Sequence, residues 1–234
     1  VDSTNNYAKT IAASGAPHGT AVIADTQTGG RGRLGRSFLS PPGAGLYLSV
    51  VLRPQVDSAQ ALLLTSAAAV AVCRAVDRFV KAPAQIKWVN DVYLGGKKLC
   101  GILTEAVSDL ESGHVEFVVI GIGINLTCAA FPEELKEIAV SLEEYREGKV
   151  GRGALAAAVL EELEQVCGQL DTAAFMQEYK RRSCVIGKRV KAIRAGISRE
   201  VFIEDIDDTG ALLVRNEAGE PECINSGEIS IRFF

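Results

Sequence analysis

Two rhythms of apolar and polar positions run along this chain, and the changes between them mark out its elements. Residues 1–5, Val1-Asp2-Ser3-Thr4-Asn5, offer several side-chain oxygens to cap a helix that is expected to stop at Gly15, where Gly-Ala-Pro ends it. Residues 19–25 (GTAVIAD) read as a strand running into a stretch of glycine and arginine. Residues 45–53 (GLYLSVVLR), β-branched and bounded by Pro42 and Pro54, predict a second strand, and 58–80 a long apolar helix. A strand follows at 85–89, then a turn at Gly95-Gly96. Two long strands at 99–107 and 115–126, joined by a turn at Glu111-Ser112-Gly113, pair most economically as antiparallel neighbours. Leu155, Val159, Leu163, Val166 and Leu170 at helical spacing predict one helix over 153–182. Beyond Gly187 the rhythm shortens to β-runs at 189–193, 200–206, 211–215, 222–224 and 229–233, a small all-β module expected to need packing on its neighbour for stability.

Composition adds limits. With 234 residues, 47% hydrophobic and 23% charged, the chain is globular and large enough for a sizeable core. A net charge of -4 gives no general electrostatic reason to bind nucleic acid or a membrane, so any anion site has to be local. The most apolar run, 59–73, is interrupted by Gln60, Thr65 and Ser66 and falls short of the roughly 18 to 20 residues that span a bilayer. Cys73, Cys100, Cys128, Cys167, Cys184 and Cys223 show no C-x-x-C pair and no histidine cluster, and read as free thiols in a reducing compartment.

Residues 29–37 read GGRGRLGRS, with glycines at the spacing G-x-G-x-x-G. A dinucleotide fingerprint would need a helix opening within it and an acidic residue about 20 positions on. RSFLSPPGAG follows instead, and its prolines and glycines forbid the helix. A kinase loop lacks its H-R-D and D-F-G stations, and no G-x-x-x-x-G-K-[ST] is present. What remains is a mobile loop whose Arg31, Arg33 and Arg36 match phosphate or carboxylate oxygens, or else a solvated basic turn. QIKWVND at 85–91 places Lys87, Trp88, Asn90 and Asp91 at a strand end. KKLCGI at 97–102 sets a lysine before a glycine, and GIGINL at 121–126 has the alternating glycines of a sheet on which something packs directly.

In order, Ser3-Thr4-Asn5, Gln27, GRGRLGR, KWVND, KLCGIL, GIGIN and the terminal SGEISIR resemble the biotin protein ligases, enzymes that attach biotin to carboxylases, over residues 2–232. The resemblance implies an α+β fold. A class II aminoacyl-tRNA synthetase-like mixed-sheet catalytic domain is expected at 1–186 and a C-terminal all-β SH3-like barrel at 187–234. It implies activation of biotin by ATP, with Mg2+, to biotinyl-AMP, then transfer to a lysine of a biotin carboxyl carrier domain. Ser3, Thr4 and Gln27 would bind the ureido head, with Asn5, Gly30, Arg31 and Gly32 beside it. Arg33 and Lys98 would hold the carboxylate and the α-phosphate, and with Asp91 would carry the catalysis. Arg36, Asn90 and Asn125 would line the adenylate side, Gly101 would allow close approach, Phe38 would cover the adenine and Arg232 would reach back toward ATP. No metal ligand is assigned.

Two residues depart from the family pattern: Phe38 stands where many members have tryptophan, and Val89 where K-W-P-N-D has proline. The expected location is cytoplasmic, with no nucleic acid or membrane partner, and a homodimer is one expected assembly. With no DNA-binding segment before Asp2, the form without that domain is expected. The rivals are a lipoate-protein ligase, whose R-R-x-S-G-G run is absent, and the ligase part of a biotin-responsive repressor. A non-catalytic binding module is disfavoured by the presence of both Arg33 and Lys98.

Overall fold

The computed structural model describes residues 1–54, 58–108, 114–146, 148, 150–194, 197–225 and 227–230. In chain order the elements are α1 (Thr4–Ala13), β1 (Ala21–Ala24), β2 (Gly45–Leu52), α2 (Ser58–Asp77), β3 (Gln85–Lys87), β4 (Asp91–Leu94), β5 (Lys97–Ser108), β6 (Val115–Asn125) and α3 (Glu133–Lys136). They continue with α4 (Arg152–Cys167), α5 (Phe175–Arg182), β7 (Arg189–Arg194), β8 (Ile197–Ile206), β9 (Leu212–Arg215), β10 (Pro221–Ile224) and β11 (Glu228–Ser230). Six strands form one sheet in the order β1-β2-β6-β5-β4-β3, and five form a second in the order β10-β9-β8-β7-β11. The α+β class is as expected. The large sheet is antiparallel in every described ladder, and its mixed character is confined to isolated parallel bridges, Ile86 with Ser183 and Lys98 with Ala139.

Every residue of β2 is buried because both faces of the sheet are covered there. Leu46, Leu48 and Val50 join Ile120, Ile122 and Ile124 of β6 in a core shared with α2 and α4. The run Ala67-Ala68-Ala69 and Ala71 lets α2 pack closely on the sheet and on α4, which itself reaches β2. On the opposite face Ala8 and Ala12 of α1 pack on Val51, Phe117 and Val119. The stretch of that face beyond α1 carries the glycine-arginine loop. Among the described residues no helix is long and apolar enough to cross a membrane, and all six cysteines are free thiols.

Three local expectations are corrected. The single helix over 153–182 is two helices: Gly168 ends α4, and Ala173 takes the left-handed φ of 49° that redirects the chain into α5. Apolar spacing continues through Leu170, which is buried in the break, so periodicity alone does not show it. The four-residue β4 lies within the stretch read as strand end and turn. Ser3 is the N-cap of α1 but makes no side-chain capping bond. The turn at 111–113 lies outside the described residues.

Ion pairs tie α2 to α4 and α5. Glu178 accepts from Arg74 Nη2 at 2.6 Å and from Arg182 Nε at 2.8 Å, Arg182 also reaches Asp77 at 2.8 Å, and Arg78 pairs with Glu162. Burial alone would raise the Glu178 pKa, but hydrogen bonds and charge from Arg74 and Arg182 outweigh it and hold the carboxyl below its ordinary 4.5. A carboxyl depressed in the folded state contributes stability that is complete above the unfolded value and is lost as pH falls through the folded one. Thermal melts from pH 7 to pH 3 are therefore expected to show wild type losing stability below about pH 4.5. Glu178→Gln should start lower at pH 7 and fall less steeply, and parallel curves for the two proteins would refute this role.

Candidate active site

Register across the antiparallel sheet builds the floor of the site. Asp91 of β4 lies opposite Gly101 of β5, Gly101 opposite Gly123 of β6, and Gly123 opposite Tyr47 of β2. The next row on the same face runs Leu103, Gly121, Ser49, and the one after it Glu105, Val119, Val51. Glycine at three of these positions leaves a trough. A Cβ on Gly123 would meet the Phe38 ring at 2.6 Å, one on Gly101 would lie 3.4 Å from Lys98 Nζ, and one on Gly121 would collide with Asn5 Oδ1. Phe38, edge-on to Tyr47 at 6.5 Å, lies directly on this floor.

One end of the trough is neutral and hydrogen-bonded. Thr4 donates from its backbone N at 2.8 Å and its hydroxyl at 3.0 Å to Gln27 Oε1, and Gln27 Nε2 donates to Ser40 Oγ at 2.8 Å. The Ser49 hydroxyl donates to Asn5 Oδ1 at 2.6 Å and lies 2.8 Å from Thr4 Oγ1. Ser3, Thr4, Asn5, Ser40 and Ser49 are all buried, so the network pre-orders donors and acceptors rather than floating in solvent.

The glycine-arginine loop closes over the trough as a narrow excursion, with Phe38 N donating to Gly30 O at 2.9 Å and Gly32 N to Arg36 O at 2.7 Å. Gly30 admits no side chain, since a Cβ there would collide with Phe38 O. At the tip Leu34 is exposed at a φ of 54°. Arg31 Nη1 donates to Asn6 at 3.0 Å and to Glu105, and Arg33 donates to Asn90 Oδ1 at 3.2 Å and to Gly227 O at 3.3 Å, just before β11 of the second sheet.

The other end is charged. Lys98 Nζ lies 2.7 Å from Asp91 Oδ1. The contact is a charge pairing and not an aligned hydrogen bond, because that buried oxygen accepts none. Asn90 is braced on Ile102 by side chain and backbone: its Nδ2 donates to Ile102 O at 2.8 Å and its carbonyl accepts from Ile102 N at 2.9 Å. Among the described residues no group of three or more metal-ligating side chains exists. Among the described residues Asp91 is the one carboxylate lining the cleft, which fits a hard cation that arrives bound to phosphate oxygens and not one caged by protein.

Of the residues singled out from sequence, Ser3, Thr4, Asn5, Gln27, Arg31, Gly32, Arg33, Arg36, Phe38, Asn90, Asp91, Lys98 and Gly101 line one cleft of about 120 Å³. Gly30 does not line it and packs against Phe38, Ser40 and Gln27. Asn125 is not in that cleft: it belongs to an adjoining pocket with Phe38 and Lys98, and its amide donates to Val140 O at 3.1 Å. Arg232 is outside the described residues. Sequence reading missed Ser40, Tyr47, Ser49 and Glu105. Counting by twos from Gly101 reaches Glu105, but only strand register brings Tyr47 and Ser49 beside Gly123 and Gly121.

A family model described as the Biotin/lipoate A/B protein ligase family matches residues 1–125, and one described as the Biotin protein ligase C terminal domain matches 185–232. The Biotin--[acetyl-CoA-carboxylase] ligase of Mycobacterium tuberculosis is 36% identical over 97% of this chain and 85% of its own length. The Bifunctional ligase/repressor BirA of Bacillus spizizenii is 35% identical over 94% of this chain and 68% of its own. Among solved structures, the biotin protein ligase from Aquifex aeolicus in complex with biotin and ATP superposes with a TM-score of 0.83 at 31% identity, covering 99% of this chain and 95% of that one.

If the trough depends on missing side chains, Gly121→Ala has to displace Asn5 from its hydrogen bonds. Denaturant unfolding is expected to show a loss of about 1–3 kcal/mol, the cost of overpacking plus an unpaired buried amide. Gly153→Ala on α4, where an added Cβ meets nothing within 4 Å, is the control and should not destabilise. Equal stability of the Gly121 variant and wild type would contradict the packing described.

Proposed function

Since the chain belongs to the biotin protein ligase family, we propose that its trough is where biotin is activated by ATP and passed to a lysine of a carboxyl carrier domain. The chain is an ATP-dependent biotin ligase, and residues 1–186 form the unit that binds biotin and ATP, with 187–234 as a C-terminal unit. The observation that carries the site reading is that one glycine-floored cleft joins a neutral hydrogen-bonding end, Thr4 and Gln27, to a cationic end, Arg33 and Lys98. A ureido ring offers both N–H donors and a carbonyl acceptor to the neutral end, whereas a dithiolane offers it neither an N–H donor nor a carbonyl acceptor.

In the first step a biotin carboxylate oxygen attacks the α-phosphorus of ATP. The P–O bond to the β-phosphate breaks and pyrophosphate leaves. Both reactants are anions, so Arg33 and Lys98 offset the repulsion and stabilise the charge that builds on the phosphorus oxygens. Mg2+, when bound with ATP, supplies further charge neutralisation at the phosphates. In the second step the carrier amine attacks the acyl carbon, the C–O bond to the phosphate breaks and AMP departs. Asp91 balances Lys98 before ATP arrives. Once the α-phosphate competes for Lys98, Asp91 is freed to take the proton from the amine. Phe38 covers the adenine, with Arg36, Asn90 and Asn125 on the adenylate side. Six free thiols support a reducing, cytoplasmic setting.

The test is biotin-dependent exchange of labelled pyrophosphate into ATP. Wild type is expected to exchange, and Lys98→Ala to lose about 100-fold or more, the effect of removing one group that acts on transition-state charge. Asp91 loses its partner in that variant, so the melting temperature should drop by up to about 5 °C with the folded signal intact. Exchange near the wild-type rate in folded Lys98→Ala would overturn the assignment.

A further inference from the structure

Glu105 lies one row beyond the trough, on the same face of β5 as Gly101 and Leu103, and its side chain is only 20% exposed. Three side chains from two elements converge on its carboxylate. Lys9 of α1 donates to Oε1 at 2.8 Å, Asn5 of α1 donates to Oε2 at 2.9 Å, and Arg31 of the glycine-arginine loop reaches both oxygens at 3.0 and 3.1 Å. Asn5 then passes the connection inward, since its Oδ1 takes the Ser49 hydroxyl beside Thr4. One carboxylate thus joins the loop, the helix that carries the neutral end of the cleft, and the sheet floor.

At this end the loop is also held by Gly29 N donating to Asp2 O at 2.8 Å and by Arg31 donating to Asn6 Oδ1 at 3.0 Å, but Glu105 is the charge among these partners. Its apolar tip residue, Leu34, is exposed at 72%, and the tie from Arg33 to Asn90 and Gly227 lies at the charged end of the cleft. From these contacts we propose that Glu105 is a positioning residue for the biotin end of the site, holding Arg31 and Asn5 so that the loop and the head-group pocket keep one register. The proposal rests on the biotin reading above. Burial raises the Glu105 pKa, but hydrogen bonds from Lys9 and Asn5 and the charges of Lys9 and Arg31 win, so the group is a carboxylate at neutral pH. Neutralising it removes the carboxylate that Lys9 and Arg31 share, and the repulsion between the two cations then loosens the loop from the floor.

Glu105→Gln, Glu105→Asp, Lys9→Met and the double variant Lys9→Met/Glu105→Gln are compared by pyrophosphate exchange and by limited trypsin digestion of the native proteins. Glu105→Gln is expected to raise KM for biotin about tenfold, the loss of a charge-assisted contact, with KM for ATP and kcat within about threefold of wild type. Trypsin should cut it several-fold faster after Arg31, as expected when a tied loop gains freedom. Glu105→Asp keeps the charge and should recover most of both effects, the double variant should recover part, and Lys9→Met alone should stay close to wild type. Unchanged KM for biotin and unchanged cleavage in Glu105→Gln would overturn the proposal. So would a rise in both KM values together with a general rise in cleavage, which marks a merely structural residue. If wild type shows no biotin-dependent exchange, the biotin reading fails while the trypsin comparison still decides whether Glu105 holds the loop.

Discussion

The site depends on a subtraction. Where Gly101, Gly121 and Gly123 cross the sheet, three side chains that would fill the space are missing, and other groups take it up: the Phe38 ring over Gly123, the Lys98 ammonium beside Gly101 and the Asn5 amide on Gly121. A strand interior ordinarily loses stability through glycine. Here the opposite face compensates, because Ile120, Ile122 and Ile124 of β6 alternate with the glycines and bury themselves against α2 and α4. The same strand is therefore core on one side and trough on the other, and both roles follow from the period of two.

Everything else at the site is held by polar ties across that floor. The loop at 29–37 has no hydrophobic anchor at its tip, so its course is set by Gly30 against Phe38 and Ser40, by Arg31 on Glu105, and by Arg33 on Asn90 and Gly227. The segment carrying Asn90 and Asp91 is braced from behind: the buried Tyr179 hydroxyl of α5 donates to Val89 O at 3.0 Å, and Trp88 Nε1 donates to Gly210 O at 2.8 Å. Arg33 and Trp88 thus both bond backbone carbonyls of the C-terminal β-module. That module, too small to bury a large core alone, is packed where the charged end of the cleft lies.

Much of this was legible in the chain because short-range chemistry encodes it. GTAVIAD, GLYLSVVLR and the two long apolar runs announce strands by apolar, β-branched stretches between turn signals, and GRGRLGR and GIGIN announce flexible and side-chain-free backbone. Trp88, which can be read from sequence as core or as a stacking surface, is core. The break between α4 and α5 stayed hidden because Leu170 continues the apolar spacing while Ala173 turns the chain with a backbone angle that alanine does not advertise. Ser49 and Glu105 stayed hidden for another reason. Their importance comes from register between strands and from an approach by α1, long-range facts that no local window contains.

The most direct test of the glycine trough as the ligand seat is a crystal structure of this protein with a non-hydrolysable biotinyl-adenylate analogue. The predicted result places the ureido ring at Thr4 and Gln27 and the linking phosphate between Arg33 and Lys98. The connecting chain should run over Gly101 and Gly123, with Phe38 lifted from the floor to lie against the adenine. An analogue bound elsewhere, or bound with Phe38 still seated on Gly123, would contradict it.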